Sequence, residues 1–145
     1  MRAPRGFSLV ELVVVIIIAA IIAVLAIPRL RDTESNATWY HEQVLAAVRY
    51  AQRQAVAQHR TIFVCVAPAE VRLGYDAGCT TAPLEAPGQT SHKLPAPSGV
   101  NNITSTATPF SFNGLGQPTP IGGVQVSFAG RSINVAAETG YVSAN

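Results

Sequence analysis

One acidic side chain, Glu11, stands at the start of a run of residues that are otherwise all apolar. From Leu12 to Ile27 the chain contains only Leu, Val, Ile and Ala, so no other side chain there is charged or bonds to water. An isolated carboxylate in hydrocarbon is costly, and acids inside membranes usually have a partner. Glu11 is therefore either an accident of the sequence or, as we expect, a group that pairs with a cation of another chain.

The two cysteines, Cys65 and Cys79, are the next residues that could do chemistry. A disulfide between them would close a loop of about 15 residues and stabilise the fold by roughly 3 kcal/mol on the chain-entropy model. We expect this bridge in an oxidising compartment, with two unpaired thiols as the alternative. A zinc site is not expected, because neither cysteine has another Cys or His at ligand spacing.

Three histidines, His41, His59 and His92, are the remaining candidates for catalysis, and they are scattered along the chain. Isolated histidines on a helix face or in a loop are more often solvated than catalytic. The sequence has no Gly-x-Ser-x-Gly segment, no His-Glu-x-x-His pair and no phosphate-binding Gly loop. The Gly-Leu-Gly segment at 114–116 is predicted to be a turn, because no helical pattern follows it. We therefore predict that the chain is not an enzyme and uses no cofactor or metal ion.

The apolar run predicts a transmembrane helix. From Phe7 to Ile27 a helix would rise roughly 31 Å, enough for a bilayer core of about 30 Å. Arg2 and Arg5 precede the run, which predicts a cytoplasmic amino terminus and places the residues beyond about position 30 across the membrane. The alternative is a signal peptide cleaved near 23–26, but the apolar region of such peptides is usually only about 7 to 15 residues long.

Beyond Pro28 a polar band follows, and helical spacing resumes from Ala37. Pro28 lacks a backbone donor and crowds the preceding turn, so we expect a kink there. One face of this second half is predicted to be buried and the other solvated. The buried stripe is Tyr40, Val44, Ala47, Val48, Ala51 and Ala55, and the solvated side is Glu42, Arg49, Gln52, Arg53 and His59. The pattern predicts one helix from Phe7 to about His59.

The rest of the chain is predicted to form a β-rich head. Alternating β-branched and aromatic residues predict strands at 61–66, 71–75 and 138–142, and a strand that leads into a turn at 109–116. The segments 124–128 and 132–136 are predicted to form a hairpin. Between Asp76 and Thr108 the periodicity vanishes, which predicts a long irregular segment with short pieces of structure. The predicted fold class is α+β: a long amino-terminal helix, transmembrane in its first half and kinked at the proline, packed on a small antiparallel β-sheet head like a lollipop.

Charge argues against a nucleic-acid partner. The formal net charge of +2 comes from Arg2 and Arg5, because the other basic residues are balanced by acids. The last 50 residues contain a single basic side chain, Arg131. A DNA-binding tip would need several Lys or Arg residues close together. No nucleic acid is therefore expected to bind the head.

The segment Arg5-Gly6-Phe7-Ser8-Leu9-Val10-Glu11-Leu12 resembles the processing site of type IV prepilins and type II secretion pseudopilins. The resemblance implies that a prepilin peptidase cuts between Gly6 and Phe7 and methylates the new amino group of Phe7. It also implies that Glu11 pairs with the amine of a neighbouring subunit and sets the assembly register, and that Pro28 bends the helix. The domains would then be a leader at 1–6, a helix at 7–59 with its transmembrane segment at 7–27, and a periplasmic or extracellular head at 60–145.

The carboxyl-terminal half resembles the GspH/FimT subgroup of this family. The resemblance rests on Phe110–Gly116 and Glu138–Val142, and the segments 49–52 and 57–60 are similar to MshC-type minor pilins of mannose-sensitive haemagglutinin (MSHA) pili. It implies a minor pilin that helps to initiate or cap a type IV pilus. A type II secretion pseudopilin and a DNA-uptake pilin remain as alternatives.

The same resemblance implies the partners and the location of the protein. The partners would be the prepilin peptidase, other pilin or pseudopilin subunits, the inner-membrane assembly platform, and membrane lipid before assembly. The subunit would reside in the inner membrane as a single-pass protein with a periplasmic head. It would then pass into the pilus or pseudopilus.

Overall fold

The computed structural model describes residues 8–86, 88 and 91–145, and for residues 23–33 it describes the backbone alone. The chain divides into two compact units, Met1–Ser35 and Asn36–Asn145, and we call the second the head unit. Both units contain part of one helix, α1, Leu9–Gln58. The predicted leader and the predicted cleavage and methylation sites at Gly6 and Phe7 lie outside the described residues.

In the first unit, α1 carries an exposed apolar surface. Every large apolar side chain from Leu9 to Ile22 is exposed, from 40% at Val13 to 77% at Leu9. Burying one such side chain contributes roughly 1.5–3 kcal/mol, so this surface favours lipid or protein over water. Among the residues that the structure describes, no helix is long and apolar enough to cross a membrane. The predicted span 7–27 extends beyond those residues and stays a prediction, as does the kink at Pro28.

In the head unit, the predicted buried stripe of α1 is indeed buried. Tyr40, Val44 and Ala51 have no exposed area, and the other stripe residues are equally enclosed or nearly so. The helix ends at Gln58 in a Schellman motif, in which His59 has a left-handed φ of 48° and the Arg60 N–H donates to the carbonyl of Ala55. The predicted end of the helix is therefore correct to within a residue.

The remainder of the described chain forms nine strands. They are β1 Ile62–Ala67, β2 Glu70–Gly74, β3 Lys93–Pro95, β4 Thr104–Ser105, β5 Phe110–Phe112, β6 Pro118–Thr119, β7 Val124–Phe128, β8 Arg131–Val135 and β9 Val142–Ala144. A five-stranded sheet has the order β3-β2-β1-β5-β6, and a four-stranded sheet has the order β4-β7-β8-β9. All neighbours pair antiparallel, so the α+β class is confirmed, with two sheets in the head unit.

Alternation along the strands places one face of each main strand in the core. In β1, Ile62, Val64 and Val66 are buried while the residues between them are half-buried, and β7 alternates in the same way. The turn between β7 and β8 consists of Ala129 and Gly130, both at positive φ, as a two-residue type I′ hairpin requires. The predicted hairpin is therefore confirmed.

The irregular segment is confirmed as well, but the predicted last strand is partly wrong. Among the residues that the structure describes between Asp76 and Thr108, only β3, β4 and an isolated bridge interrupt the irregular backbone. The strand predicted at 138–142 begins only at Val142, because 137–139 form a turn that the Gly140 N–H closes by donating to the Ala136 carbonyl at 2.9 Å. Gly140 has a φ of 67°, a conformation that suits a turn and not a strand.

Candidate assembly surfaces

A disulfide joins Cys65 and Cys79, which ties β1 to the loop that follows β2. The Asp76 carboxylate organises this loop by accepting backbone N–H groups from Gly78 at 3.1 Å and Ala82 at 2.9 Å. These hydrogen bonds, led by that from Ala82, hold the pKa of Asp76 below its usual value. Within the part of the chain that the structure describes, no group of three or more His, Cys, Asp or Glu residues could hold a metal ion.

Glu11 lies in the first turn of α1, on the exposed apolar surface that runs from Leu9 to Ile22. None of the described residues forms an ion pair with it. A carboxylate that becomes covered by apolar groups needs a cation or hydrogen-bond donors, since an unpaired buried charge is strongly destabilising. A molecule that covers this surface must therefore also neutralise Glu11.

Arg49 and Gln52 reach from α1 to the carboxyl-terminal segment, although both were predicted to be solvated. The Nε and Nη2 atoms of Arg49 donate to the carbonyl oxygen of Val142 at 3.2 and 3.1 Å. The Gln52 amide nitrogen donates to the carbonyl oxygens of Gly116 at 3.2 Å and Thr139 at 3.1 Å. We call the contacts of Arg49 and Gln52 together the helix clamp on β9, because Arg49 holds Val142 at the start of that edge strand and Gln52 holds the turn that precedes it. The prediction failed because both side chains are long enough to reach backbone beyond their own helix face.

His41 is also buried, contrary to the expectation of a solvated histidine. Its Nε2 lies 3.3 Å from the Ser132 carbonyl oxygen, and its ring centre lies 5.9 Å from that of Phe128. Its Nδ1 lies 3.6 Å from the carboxylate of Glu42, which is exposed. His41 thus packs α1 against β8, and its neighbours are backbone, an aromatic ring and one surface acid.

Four exposed apolar residues lie on or beside two turns that meet at one corner of the head unit: Val56, Leu115, Ile121 and Tyr141. We call this the apolar corner. The turn at 113–117 meets the turn at 136–141 there, since a Cβ atom on Gly140 would overlap the carbonyl oxygen of Gly116. A cavity of about 280 Å³ lies beside this contact, and residues of both turns and Ile121 line it.

Two family models match the chain. The model of the type II transport protein GspH matches residues 41–140, which is more than half of the sequence. The chain belongs to the GspH family. The model of the prokaryotic N-terminal methylation motif matches residues 1–27 of this GspH-family chain. No curated protein sequence matches it significantly.

Solved structures show the same fold as this GspH-family chain. The type IV minor pilin FimU of Pseudomonas aeruginosa is similar with a TM-score of 0.62 and 18% identity, covering 78% of this chain and 91% of FimU. The minor pseudopilin EpsH from the type 2 secretion system of Vibrio cholerae gives a TM-score of 0.55 and 9% identity, covering 76% of this chain and 96% of EpsH. At these identities the likeness establishes the fold, which is that of pilins and pseudopilins.

Sequence reasoning missed the helix clamp and the apolar corner of this GspH-family chain. A signal for the clamp was present, because Arg49 and Gln52 follow directly after the stripe residues Val48 and Ala51 and so lie at the border of the buried face. Long side chains at such a border commonly lay their stems on apolar surface and extend their polar ends. The corner had no comparable signal, since turns from distant parts of the chain build it.

Proposed function

We propose that this GspH-family chain is a minor pilin that helps to initiate or cap a type IV pilus of the MSHA kind. In this proposal prepilin peptidase cuts between Gly6 and Phe7 and methylates Phe7. The match of the methylation motif to residues 1–27 supports that step. The similarity of 49–52 and 57–60 to MshC-type minor pilins favours the MSHA kind.

The exposed apolar surface from Leu9 to Ile22 carries the proposal. Eleven large aliphatic side chains are exposed there, and Glu11 is the single charged residue among them. A surface of this kind needs a cover, which we assign first to the lipid of the inner membrane and then to the helices of neighbouring subunits. The amino terminus would lie in the cytoplasm and the head in the periplasm until an inner-membrane platform adds the subunit to the filament.

Glu11 is assigned to the pairing of subunits. Once neighbouring helices have displaced lipid and water, its carboxylate needs a cation, and the new amino group of Phe7 in a neighbour is the natural donor. An unpaired charge in such a dry core costs about 3–5 kcal/mol, so the pairing would select one axial register.

A pseudopilin of a type II secretion system is the second candidate. The matching family is described as type II transport protein GspH, and EpsH, a minor pseudopilin, has the same fold. FimU, a minor pilin, has that fold too, so the fold is compatible with both candidates. The surface of α1 would serve either filament equally well.

An in-frame deletion in the source cell distinguishes the two candidates. We expect the deletion strain to lose sheared surface filaments and to secrete proteins normally. Normal filaments together with secreted proteins retained in the periplasm would instead identify a pseudopilin. Subunit purified from filaments should begin with methylated Phe7 by mass spectrometry, and an intact Met1 there would contradict the whole scheme.

Glu11→Val tests the pairing step. The variant should still enter the membrane, because valine is apolar, but it would leave the amine of a neighbour unpaired and should reduce incorporation into filaments at least about tenfold. Glu42→Val is the matched control, since it removes an exposed acid from the same helix within the head unit. Equal incorporation of the two variants would rule out a pairing role for Glu11.

A further inference from the structure

The apolar corner concentrates most of the exposed large apolar side chains of the head unit. Five such side chains are exposed among its described residues: Trp39, Val56, Leu115, Ile121 and Tyr141. All but Trp39 belong to the corner, and Leu115 and Ile121 are exposed by 78% and 86%. Single exposed apolar residues are common, but a group of them on one surface marks an interaction site.

A close backbone contact and several hydrogen bonds tie the two turns of the corner together. Gly116 and Gly140 touch too closely for a side chain at Gly140, and Gln52 bonds to the carbonyl groups of both Gly116 and Thr139. The Asn113 side chain closes its own turn by accepting the N–H groups of Leu115 and Gln117. Turns that are held in this way lose less conformational entropy when a partner binds than free loops would.

The cavity at the corner combines apolar walls with one carboxylate. Pro118, Ala137 and Ile121 supply the apolar lining, Asn113, Gln117 and Thr119 supply neutral polar groups, and Glu138 supplies the only charge. Glu138 forms no ion pair with any residue that the structure describes. The volume of about 280 Å³ lies just below the range of about 300–1,000 Å³ typical of small-molecule sites, so the cavity suits one long side chain.

We propose that the apolar corner docks a neighbouring subunit of the same filament, which inserts a lysine or arginine side chain beside Glu138 and covers Leu115, Ile121 and Tyr141 with apolar residues. The choice of a basic side chain follows from charge complementarity, because Glu138 would repel an anionic lipid headgroup or a nucleic acid. A charge-assisted hydrogen bond enclosed by apolar contacts is a strong form of protein recognition. That the neighbour is a filament subunit rests on the proposed function.

Site-specific photo-crosslinking in the source cell tests the docking site on the full chain. A photoreactive phenylalanine derivative replaces Ile121 at the corner or, as a control, Thr104 in β4. Thr104 is also exposed but lies at the opposite edge of the four-stranded sheet from β9. We expect Ile121 to crosslink to a second pilin-like subunit at a peptide that contains Lys or Arg. Thr104 should not crosslink to that peptide.

Charge reversal supplies the second arm of the experiment. Glu138→Lys should lower the Ile121 crosslink at least about tenfold, because it places like charges together where the basic side chain would enter. Glu85→Lys is the matched control, since Glu85 is exposed and follows the Gly74–Pro83 bridge beside β2, far across the five-stranded sheet from β6. Equal protein levels and an intact disulfide show that both variants fold.

The possible results separate the docking site from the proposed function. If the chain enters filaments but Ile121 gives no protein crosslink, gives only lipid adducts, or gives a crosslink that Glu138→Lys leaves unchanged, the docking proposal is wrong and the filament role stands. If the chain never enters filaments, the filament role fails, and a filament subunit as the partner fails with it.

Discussion

Arg49→Met should destabilise the head unit although Arg49 lies on the side of α1 that its spacing predicts to be solvated. Methionine keeps most of the length and apolar surface of the side chain, but it removes both N–H groups that donate to the Val142 carbonyl. The variant therefore isolates the hydrogen-bonding part of the helix clamp on β9 from its packing.

The magnitude follows from the geometry of the clamp. A hydrogen bond from a charged group contributes about 1.5–3 kcal/mol, and here two donors share one acceptor at a partly exposed site, so we take about 1.5 kcal/mol. For a unit of about 110 residues the unfolding entropy is about 0.23 kcal/mol per kelvin. Arg49→Met should therefore lower the melting temperature by about 6 °C.

Thermal unfolding of a fragment that spans residues 36–145 measures this shift, followed by circular dichroism. Arg53→Met is the control, because Arg53 lies one helical turn further on and is exposed. Amide hydrogen exchange adds a local test, since exchange of the β9 amides should speed up in Arg49→Met more than in the control. Identical melting curves for the two variants would refute the clamp as a source of stability.

Two further predictions concern the loop that the disulfide closes. Cys65→Ala combined with Cys79→Ala should lower the free energy of unfolding in urea by about 3 kcal/mol, the entropy of a loop of this length, and an equal loss in the wild type under reductant would confirm the cause. The depressed pKa of Asp76 predicts a stabilisation that is full above about pH 4 and is lost as the pH falls through the lower folded-state pKa. The difference in unfolding free energy between wild type and Asp76→Asn should therefore shrink in acid. A difference that does not change with pH would contradict this linkage.

Local pattern was enough to predict the longer elements of the fold, but not the short strands β3, β4 and β6. The three- and four-residue spacing from Tyr40 to Ala55 predicted the buried face of α1, and strict alternation at 124–128 predicted β7. Both succeed because a single buried face imposes its period directly on the sequence. The last strand was misplaced because Thr139-Gly140 favours a turn, and this local preference prevailed over the β-propensity around it.

Contacts between distant segments were beyond the reach of the sequence. The burial of His41 depends on Phe128 and Ser132, which are about 90 residues away along the chain. The apolar corner depends on a turn at 113–117 meeting another at 136–141, and neither turn carries a mark of the other. The division of the strands into two sheets is non-local in the same sense, because strand order is set by pairing and not by propensity.

The helix clamp joins residues that are synthesised far apart in time. Arg49 and Val142 are separated by 93 residues, as are Thr38 and Arg131, which also bond to each other. At about 5–20 residues per second, the ribosome needs about 5–20 s to make the second partner after the first. During that interval the apolar stripe of α1 is covered only in part, because Tyr40 meets Leu94 and Phe128 at different times, so we expect the nascent chain to be most prone to aggregate before β7 is made.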